Sequence, residues 1–168
     1  MTAHLVAIGL DPGLARTGYG VVASHGRSYR VLSGGTIETP KEMPRSERLR
    51  TIYDELGALI EEYTPEGIGI EEVFLATNAR TAMLTAEARG ALLAAVGQLP
   101  VRSYTPLQVK KRIVGYGNAS KRQVQAMVAQ IVGLAEAPRP DDVADGIALA
   151  ICYLRDALGA HPEKHGRL

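Results

Sequence analysis

Two short apolar segments, each ending in a carboxylate, constrain the fold of this chain more than any other feature. The segment "AIGLD" ends at Asp11 and the segment "GIGIE" ends at Glu71. Because alternate side chains of a strand share a face, each carboxylate follows small residues on one face, and branched residues occupy the other. If the strands are parallel neighbours, both acids stand at the strand ends, where α/β sheets bind ligands. The glycines on that face indicate that something bulky approaches it closely.

The rest of the chain predicts a mixed α/β fold. Three closely spaced strands within residues 4–39 predict an antiparallel meander. Helical periodicity from residue 46 to 63 predicts a helix with Ser46 as its N-cap. The later segments read as strands at 66–74 and 100–105 and as helices at 79–96, 106–114, 120–134 and 140–158. We therefore expect a mixed five-stranded sheet with helices on its faces.

Length and composition favour a single globular domain in a reducing compartment. The chain has 168 residues, of which 46% are hydrophobic, and we expect one domain with a substantial core. The first residues lack the features of a secretory signal, and no apolar run reaches the roughly 18 residues of a membrane helix. The single cysteine, Cys152, lies in an apolar stretch and is expected to be a buried thiol. We expect a cytoplasmic protein.

The last predicted helix carries three further carboxylates near its start. Asp142 and Asp145 are three residues apart and share a face, and Asp141 lies roughly on the same face. Asp141 follows Pro140 and reads as a helix cap, and Asp142 lies in the first turn, where the helix dipole favours a negative charge. Asp145 has neither explanation and is interpreted as functional. Gly146 costs the helix about 1 kcal/mol, which indicates that a partner comes close.

Carboxylates that converge without basic partners raise one another's pKa and destabilise a fold. A divalent cation removes that cost, and all-oxygen ligands suit Mg²⁺, with Mn²⁺ as a substitute. No Cys or His spacing supports zinc. Two such cations about 4 Å apart are the usual device for phosphodiester cleavage. The pattern therefore predicts a metal-dependent nuclease.

Two basic runs near the acids favour a nucleic-acid partner. The net charge of +1 conceals "VKKR" at 109–112 and "SKRQ" at 120–123. Each basic side chain in these runs could lie on a solvated face or could bind a phosphate group of a nucleic acid as a phosphate clamp. Because the side chains cluster beside an acidic metal site, we favour phosphate binding. These side chains are Lys110, Lys111, Arg112, Lys121 and Arg122.

The loop after "GIGIE" and the helix that follows it offer further contacts. Phe74, the only phenylalanine, reads either as a core anchor or as a platform that stacks on an unpaired base. Asn78 and Arg80 on the same loop are candidates for contact with phosphate or bases. The following helix has small residues at intervals of four, and this ridge packs either on the sheet or on a second copy of the chain. The ridge consists of Ala82, Ala86, Gly90 and Ala94.

Four stretches in order and spacing resemble the RuvC family of Holliday-junction resolvases. They are "GLDPGLARTGYGVV", "IEEVFLATNARTAMLTAEARG", "TPLQVKKRIVGYGNASKRQVQAMV" and "DDVADGIALAI". The resemblance implies an RNase H-like nuclease domain, assigned to residues 1–158. Residues 159–168 are not covered by the resemblance and, being polar, are expected to form a flexible tail. The resemblance implies that the catalytic, metal-binding acids are Asp11, Glu71, Asp142 and Asp145. The choice of Asp142 over Asp141 comes from the resemblance, since spacing alone leaves both open.

The resemblance also implies DNA contacts by Lys110 and Lys121 and an aromatic role for Phe74. Members of the family act as homodimers that nick two strands of like polarity in a four-way junction, in recombination and repair. They work with a branch-migration complex of RuvA and RuvB type. Two symmetric cuts need two active sites, which fits a two-fold dimer.

Three other functions compete with this one. "DPGLARTG" also resembles a phosphate loop of actin-like ATPases and sugar kinases, but those need two domains and a second such loop, and the chain offers neither. A non-catalytic DNA-binding relative would have lost metal chemistry, and the intact acidic set argues against it. A related RNase H-like nuclease acting on another branched or hybrid nucleic acid stays open.

Overall fold

The computed structural model describes residues 4–74 and 78–159, which form five strands and five helices. Their bounds are β1 (His4–Asp11), β2 (Arg16–His25), β3 (Ser28–Glu38), α1 (Arg45–Tyr63), β4 (Gly67–Glu71), α2 (Ala79–Val96), β5 (Val101–Tyr104), α3 (Pro106–Val114), α4 (Lys121–Ile131) and α5 (Asp141–Ala157). No helix within these ranges is long and apolar enough to span a bilayer.

The strands form one mixed sheet in the order β3-β2-β1-β4-β5. The first three strands are the predicted antiparallel meander, and β1 pairs with β4 and β4 with β5 in parallel. Gly9 lies opposite Gly69 and Leu10 opposite Ile70, so β1 and β4 end side by side. The predicted parallel pairing of the two carboxylate-bearing strands is confirmed.

Each face of the sheet carries its own apolar core. Ile8, Leu10 and Ile70 are fully buried on the face covered by α1 and α2. The opposite face is covered by α5 with α3 and α4, and there Cys152 is fully buried, as predicted. Burial raises the pKa of the Cys152 thiol to about 12, so it stays protonated.

The glycine face of the sheet receives the backbone of α5. A Cβ atom added at Gly9 would collide with the backbone of Gly146 and Ala150, and one added at Gly69 would collide with that of Leu149. A Cβ atom added at Gly146 would lie 2.6 Å from the carbonyl carbon of Tyr19. The close approach that the glycines predicted is confirmed, and the bulky partner is a helix of the same chain.

The carboxyl-terminal half of α5 is held in place by a partly buried ion pair. The Arg112 side chain donates to Asp156 at 3.0 Å, and the Tyr104 hydroxyl donates to the same carboxylate at 2.8 Å. Burial by itself raises the pKa of Asp156, but these hydrogen bonds and the charges of Arg112 and Arg102 hold it below its usual value. Arg112 therefore forms a structural ion pair, and its interpretation as a phosphate clamp stays a prediction.

Three boundary expectations need correction. Helix α1 begins at Arg45 after Pro44, so Ser46 lies inside the first turn and is not its cap. Helix α5 is preceded by Pro140, and Asp141 makes no capping hydrogen bond. Strand β4 ends at Glu71, three residues before Phe74. Of the predicted tail, residues 160–168 lie outside the described residues.

Replacing Gly146 by alanine should destabilise the fold although alanine is the better helix former. The new methyl group would overlap the backbone of β2, and such overpacking costs about 1–3 kcal/mol. For a domain of this size, each 1 kcal/mol lowers Tm by about 2–4 °C in thermal unfolding.

Gly57→Ala is the matched control, because Gly57 lies within α1 and nothing lies within 4 Å of an added Cβ atom. This change should raise the free energy of unfolding by up to about 1 kcal/mol. Equal stabilisation by both substitutions would show that α5 does not depend on close backbone contact at Gly146.

Candidate active site

The ends of β1 and β4 place the first two predicted acids side by side. Asp11 is the last residue of β1 and Glu71 the last of β4, and both strands are held in parallel register up to the preceding residue. The Arg89 side chain donates to the Glu71 carbonyl oxygen at 3.1 Å and to the Ser103 hydroxyl at 2.6 Å. Arg89 therefore fixes the end of β4, a role that no sequence pattern indicated.

The carboxyl groups of Asp11 and Glu71 interact closely enough to perturb each other's ionisation. Burial and the close interaction with Glu71, including its negative charge, raise the pKa of Asp11 well above its ordinary value. Burial also raises the pKa of Glu71, and the charge of Asp145 adds to the effect. The two strand-end acids therefore share a proton readily and resist carrying two full charges.

Helix α5 brings the second pair of acids to the same edge. The Asp142 backbone packs against Gly18, which lies directly opposite Asp11 on β2. Asp145 lies one turn before Leu149, whose carbonyl contacts the Gly69 position of β4. The negative charges of both helical acids contribute to the raised pKa of Asp11. The four predicted acids are therefore gathered at one end of the sheet.

Basic side chains neutralise the helical acids in this structure. Lys121 Nζ donates to Asp145 at 3.1 Å, and Arg16 lies 3.6 Å from Asp142. Burial alone lowers the pKa of Lys121, but the hydrogen bond and charge of Asp145 raise it overall, so it is an ammonium ion. Burial raises the pKa of Asp145, and Lys121 counteracts this only in part. The acids lie apart in sequence from these cations, and only the fold pairs them.

Asp141 shares Lys121 with Asp145 and also pairs with Arg139. Its carboxylate lies 2.7 Å from Arg139 and 3.8 Å from Lys121. The cap that the sequence favoured for Asp141 is therefore replaced by an ion pair with the preceding loop.

The four acids offer only oxygen ligands, which suit a hard divalent cation. Their carboxylates are nevertheless not arranged around a common metal position in this structure. Among residues 4–74 and 78–159, no three His, Cys, Asp or Glu side chains stand close enough together to hold a metal ion. The carboxylates of Asp142 and Asp145 are instead turned toward Arg16 and Lys121. Three of the four acids nonetheless have a raised pKa, which shows that their negative charge is incompletely compensated. Oxygen-only ligands with excess negative charge suit Mg²⁺ or Mn²⁺.

A cavity of about 290 Å³ opens beside the acids. Glu71 and Asp145 line it together with Lys110 and Lys121, while Val109 and Val124 form part of its apolar wall. Two of the predicted basic residues thus reach the acidic site.

The other two basic residues lie elsewhere. Lys111 is exposed in the last turn of α3, and Arg122 lines a separate groove beside α4. Of these four basic residues, Lys110 and Lys121 therefore lie at the acidic site, and Lys111 and Arg122 lie outside it.

The three loop candidates lie on the surface. Phe74 is 56% exposed, so its interpretation as a core anchor is wrong. Asn78 caps α2, since its side chain accepts from the Thr81 amide at 3.2 Å, and Arg80 is exposed in the first turn of that helix. Their DNA contacts stay predictions. The intervening residues 75–77 lie outside the part of the chain that the structure describes.

Comparison with known proteins decides the family. The family model "Crossover junction endodeoxyribonuclease RuvC" matches residues 7–153. The chain belongs to the RuvC family. The family is one of endonucleases, so this chain is an enzyme of that class. A curated RuvC from Syntrophomonas wolfei is 48% identical over 149 residues, which cover 88% of this chain and 87% of that relative.

Solved structures agree with this assignment. RuvC of T. thermophilus in complex with a Holliday junction substrate matches with a TM-score of 0.88 and 36% identity, covering 94% of this chain and 98% of the other. The yeast mitochondrial Holliday junction resolvase matches with a TM-score of 0.63, covering 89% of this chain and 78% of the other. Its 12% identity shows the fold alone. The predicted RNase H-like fold is confirmed.

Replacing Asp11 by asparagine should stabilise the metal-free protein at neutral pH. The folded pKa of Asp11 is raised above its ordinary value of 3.8, so the folded state holds a proton that the unfolded state has released. The Asp11 carboxyl group therefore contributes its full stabilisation below pH 3.8, and this contribution is lost as the pH rises through the pKa that Asp11 has in the folded protein. We expect Asp11→Asn to raise Tm by about 2–4 °C at pH 8 in chelator.

The gain should shrink toward pH 4, where Asp11 is largely protonated in both states. Thermal unfolding from pH 4 to pH 8 measures both effects. A variant less stable than wild type at pH 8 would show that the carboxylate is favourably placed without a metal.

Proposed function

We propose that this chain is a Mg²⁺-dependent endonuclease that resolves four-way DNA junctions by paired nicks in strands of like polarity. The supporting observation is the gathering of Asp11, Glu71, Asp142 and Asp145 at one sheet edge, next to a cavity that Lys110 and Lys121 enter. Family membership and the likeness to a RuvC solved with a Holliday junction support the substrate.

The four acids are proposed to be the metal ligands. Mg²⁺, or Mn²⁺ in its place, would activate a water molecule and stabilise the leaving oxygen of the phosphodiester. Asp11 and Glu71 are fixed by the ends of neighbouring strands, and Asp142 and Asp145 by the rigid start of α5. Cations would relieve the repulsion that raises the pKa of Asp11.

Lys110 and Lys121 are proposed to hold the phosphate near the cut. Lys121 neutralises Asp145 in the absence of metal, and its ammonium becomes available to a phosphate once Asp145 has another cationic partner. A lysine at that position would also stabilise the negative charge that develops on the phosphate. Lys111 and Arg122 are proposed to contact DNA further from the cut.

Phe74 is proposed to stack on an unpaired base at the junction centre. A ring that is 56% exposed, three residues after Glu71, is available for stacking close to the site. Such stacking contributes about 1–3 kcal/mol per base. Asn78 and Arg80 are proposed to contact the backbone on the same side.

A homodimer is proposed to supply the two active sites. On α2, Ala88, Leu92 and Val96 are buried toward the core, whereas Gly90 and Leu93 face outward. Ala86, Ala94 and Met83, which is 64% exposed, extend the same outward face. Most of the small-residue ridge is therefore left uncovered by the rest of the described chain, which supports packing against a second copy.

The proposed setting is recombination and repair in the cytoplasm, in cooperation with a branch-migration complex of RuvA and RuvB type. The choice among substrates is tested with labelled four-way junction, flap, duplex and RNA–DNA hybrid, each with Mg²⁺, Ca²⁺ or EDTA. Symmetric nicks in the junction with Mg²⁺ are expected. Faster cleavage of another branched or hybrid substrate would instead favour a related RNase H-like activity.

Asp145→Asn should abolish cleavage and keep junction binding. The change removes a proposed metal ligand without removing a phosphate clamp. Cleavage should fall at least about 10³-fold, on the scale of a lost catalytic electrostatic contact. Binding is measured by gel shift in Ca²⁺ and cleavage by mapping both nicks.

Asp54→Asn is the matched control, because Asp54 is an exposed acid on α1 whose partner is Arg50. Its cleavage should equal that of wild type. Parallel loss of binding and cleavage in Asp145→Asn would contradict the metal-ligand role.

Leu93→Glu should convert the proposed dimer to a monomer and uncouple the two nicks. The substitution places a charge in the outward face of α2, where burial of an unpaired carboxylate disfavours association. Leu32→Glu on β3 is the control, since Leu32 and Leu93 are 38% and 37% exposed. Mass measured by light scattering should halve for Leu93→Glu alone. An unchanged mass would place the dimer interface elsewhere.

A further inference from the structure

A second basic surface lies on the other side of the acids from Lys110 and Lys121. It is a groove between the turn that follows β1, the segment that follows β3 and the first half of α2. Among the described residues, its charged side chains are Arg16, Lys41, Arg48 and Arg80, and none of its described lining residues is acidic. We call this surface the basic groove.

Most of the charge in the basic groove is not neutralised by the described residues. Arg48 donates to the Thr39 hydroxyl at 2.8 Å and to the Thr39 carbonyl at 3.2 Å, and both are neutral acceptors. Lys41 and Arg80 are exposed and form no salt bridge within 4–74 and 78–159. Arg16 alone has acidic neighbours, Glu38 at 3.2 Å and Asp142 at 3.6 Å.

Like charges that converge in a concave surface repel one another and raise the local concentration of anions. Scattered surface lysines and arginines would need no explanation, but these come from four separate parts of the chain, namely β2, the segment that follows β3, α1 and α2, and they line one groove. Thr81 and Thr85 add hydroxyl groups to its wall. Arginine, lysine and threonine are the side chains that commonly hydrogen-bond to DNA phosphates.

The position of the basic groove relates it to the acids. Gly13, at one end of the groove, lies two residues after Asp11. Arg16 reaches from the groove to Asp142. A polyanion that lies across the acids would therefore meet lysines of the α3–α4 side in one direction and the basic groove in the other.

We propose that the basic groove binds the phosphodiester backbone of a duplex arm of the junction, on the side of the cut opposite Lys110 and Lys121. The inference rests on the proposed function, which supplies the DNA. Lys41 and Arg80 are the phosphate contacts, Arg48 forms the fixed floor through Thr39, and Arg16 links the groove to the acids.

The salt dependence of binding tests this proposal. The double variant Lys41→Gln, Arg80→Gln removes the two unpaired exposed charges and leaves Arg16 and Arg48 in place. A fluorescein-labelled four-way junction is titrated with the full chain in Ca²⁺ at 50–200 mM KCl, with fluorescence anisotropy as the readout. We expect the slope of log Kd against log salt concentration to fall by about 2, with Kd about 10-fold higher at the lower salt end.

Arg27→Gln with Arg30→Gln is the matched control. Both arginines are exposed where β2 turns into β3, at the end of the sheet opposite Asp11. This pair should leave the slope, Kd and nicking of wild type unchanged. An equal change in both double variants would mean that net charge, and not the groove, governs binding, and would overturn the proposal.

Two additional variants test the phosphate assignment further. Lys41→Arg with Arg80→Lys preserves the charges and should restore the wild-type slope; loss of affinity in this variant would overturn the phosphate assignment. If the glutamine pair does not fold by circular dichroism, Arg80→Gln alone should lower the slope by about 1. A wild-type slope in the folded glutamine variant would likewise overturn the proposal.

The wild-type protein separates this inference from the proposed function. If wild type binds and nicks the junction in Mg²⁺ and the glutamine variant keeps the wild-type slope, the basic groove is refuted and the function stands. If wild type neither binds nor nicks the junction, the proposed function fails and the inference fails with it.

Discussion

The backbone contact between α5 and the sheet is the constraint on which the rest of the structure depends. Gly9 and Gly69 remove the side chains that would hold the helix away, and Gly146 removes one from the helix itself. The helix axis therefore lies close enough for its first turns to meet the ends of β1 and β4. With ordinary side chains at these positions, Asp145 would stand further from Asp11, and the charges would not be coupled. Close packing of glycine on glycine here sets the electrostatics of the site.

That electrostatic arrangement opposes folding. Burial raises the pKa of Asp11 and of Glu71, and the charges of neighbouring carboxylates, Glu71 for Asp11 and Asp145 for Glu71, raise it further, which means that their charged forms are disfavoured in the folded protein. Lys121 offsets part of this cost at Asp145. The Asp156 carboxylate, in the partly buried ion pair with Arg112 at the far end of α5, accepts from several donors and is therefore fully compensated. The far end of α5 is thus held by a compensated ion pair, whereas its start lies beside the poorly compensated strand-end acids Asp11 and Glu71, as expected where function and stability conflict.

Local geometry explains which features the sequence could predict. Strand alternation in "AIGLD" and "GIGIE" sufficed to put Asp11 and Glu71 on one face, because the period of a strand is fixed. The glycines signalled a close approach, but a helix backbone and a ligand leave the same signal in sequence, and the helix proved to be the partner. Arg112 looked like its basic neighbours because its partner, Asp156, lies 44 residues away. Contacts between side chains far apart in sequence have no local pattern, so Arg89 at the end of β4 was missed for the same reason.

The distribution of cations around the acids argues for a long polyanionic substrate. A small phosphate compound would be held by one set of donors, and Lys110 with Lys121 already provide such a set beside Glu71. The basic groove would then have no partner, and its convergent charges would only add repulsion. A DNA backbone carries charge at regular intervals and can meet both surfaces at once, so that one side positions the reacting phosphate and the other fixes the direction of the strand. Arg16 lies between Asp142 and the basic groove, so a proposed arm bound in the groove would be coupled to the acids through this residue.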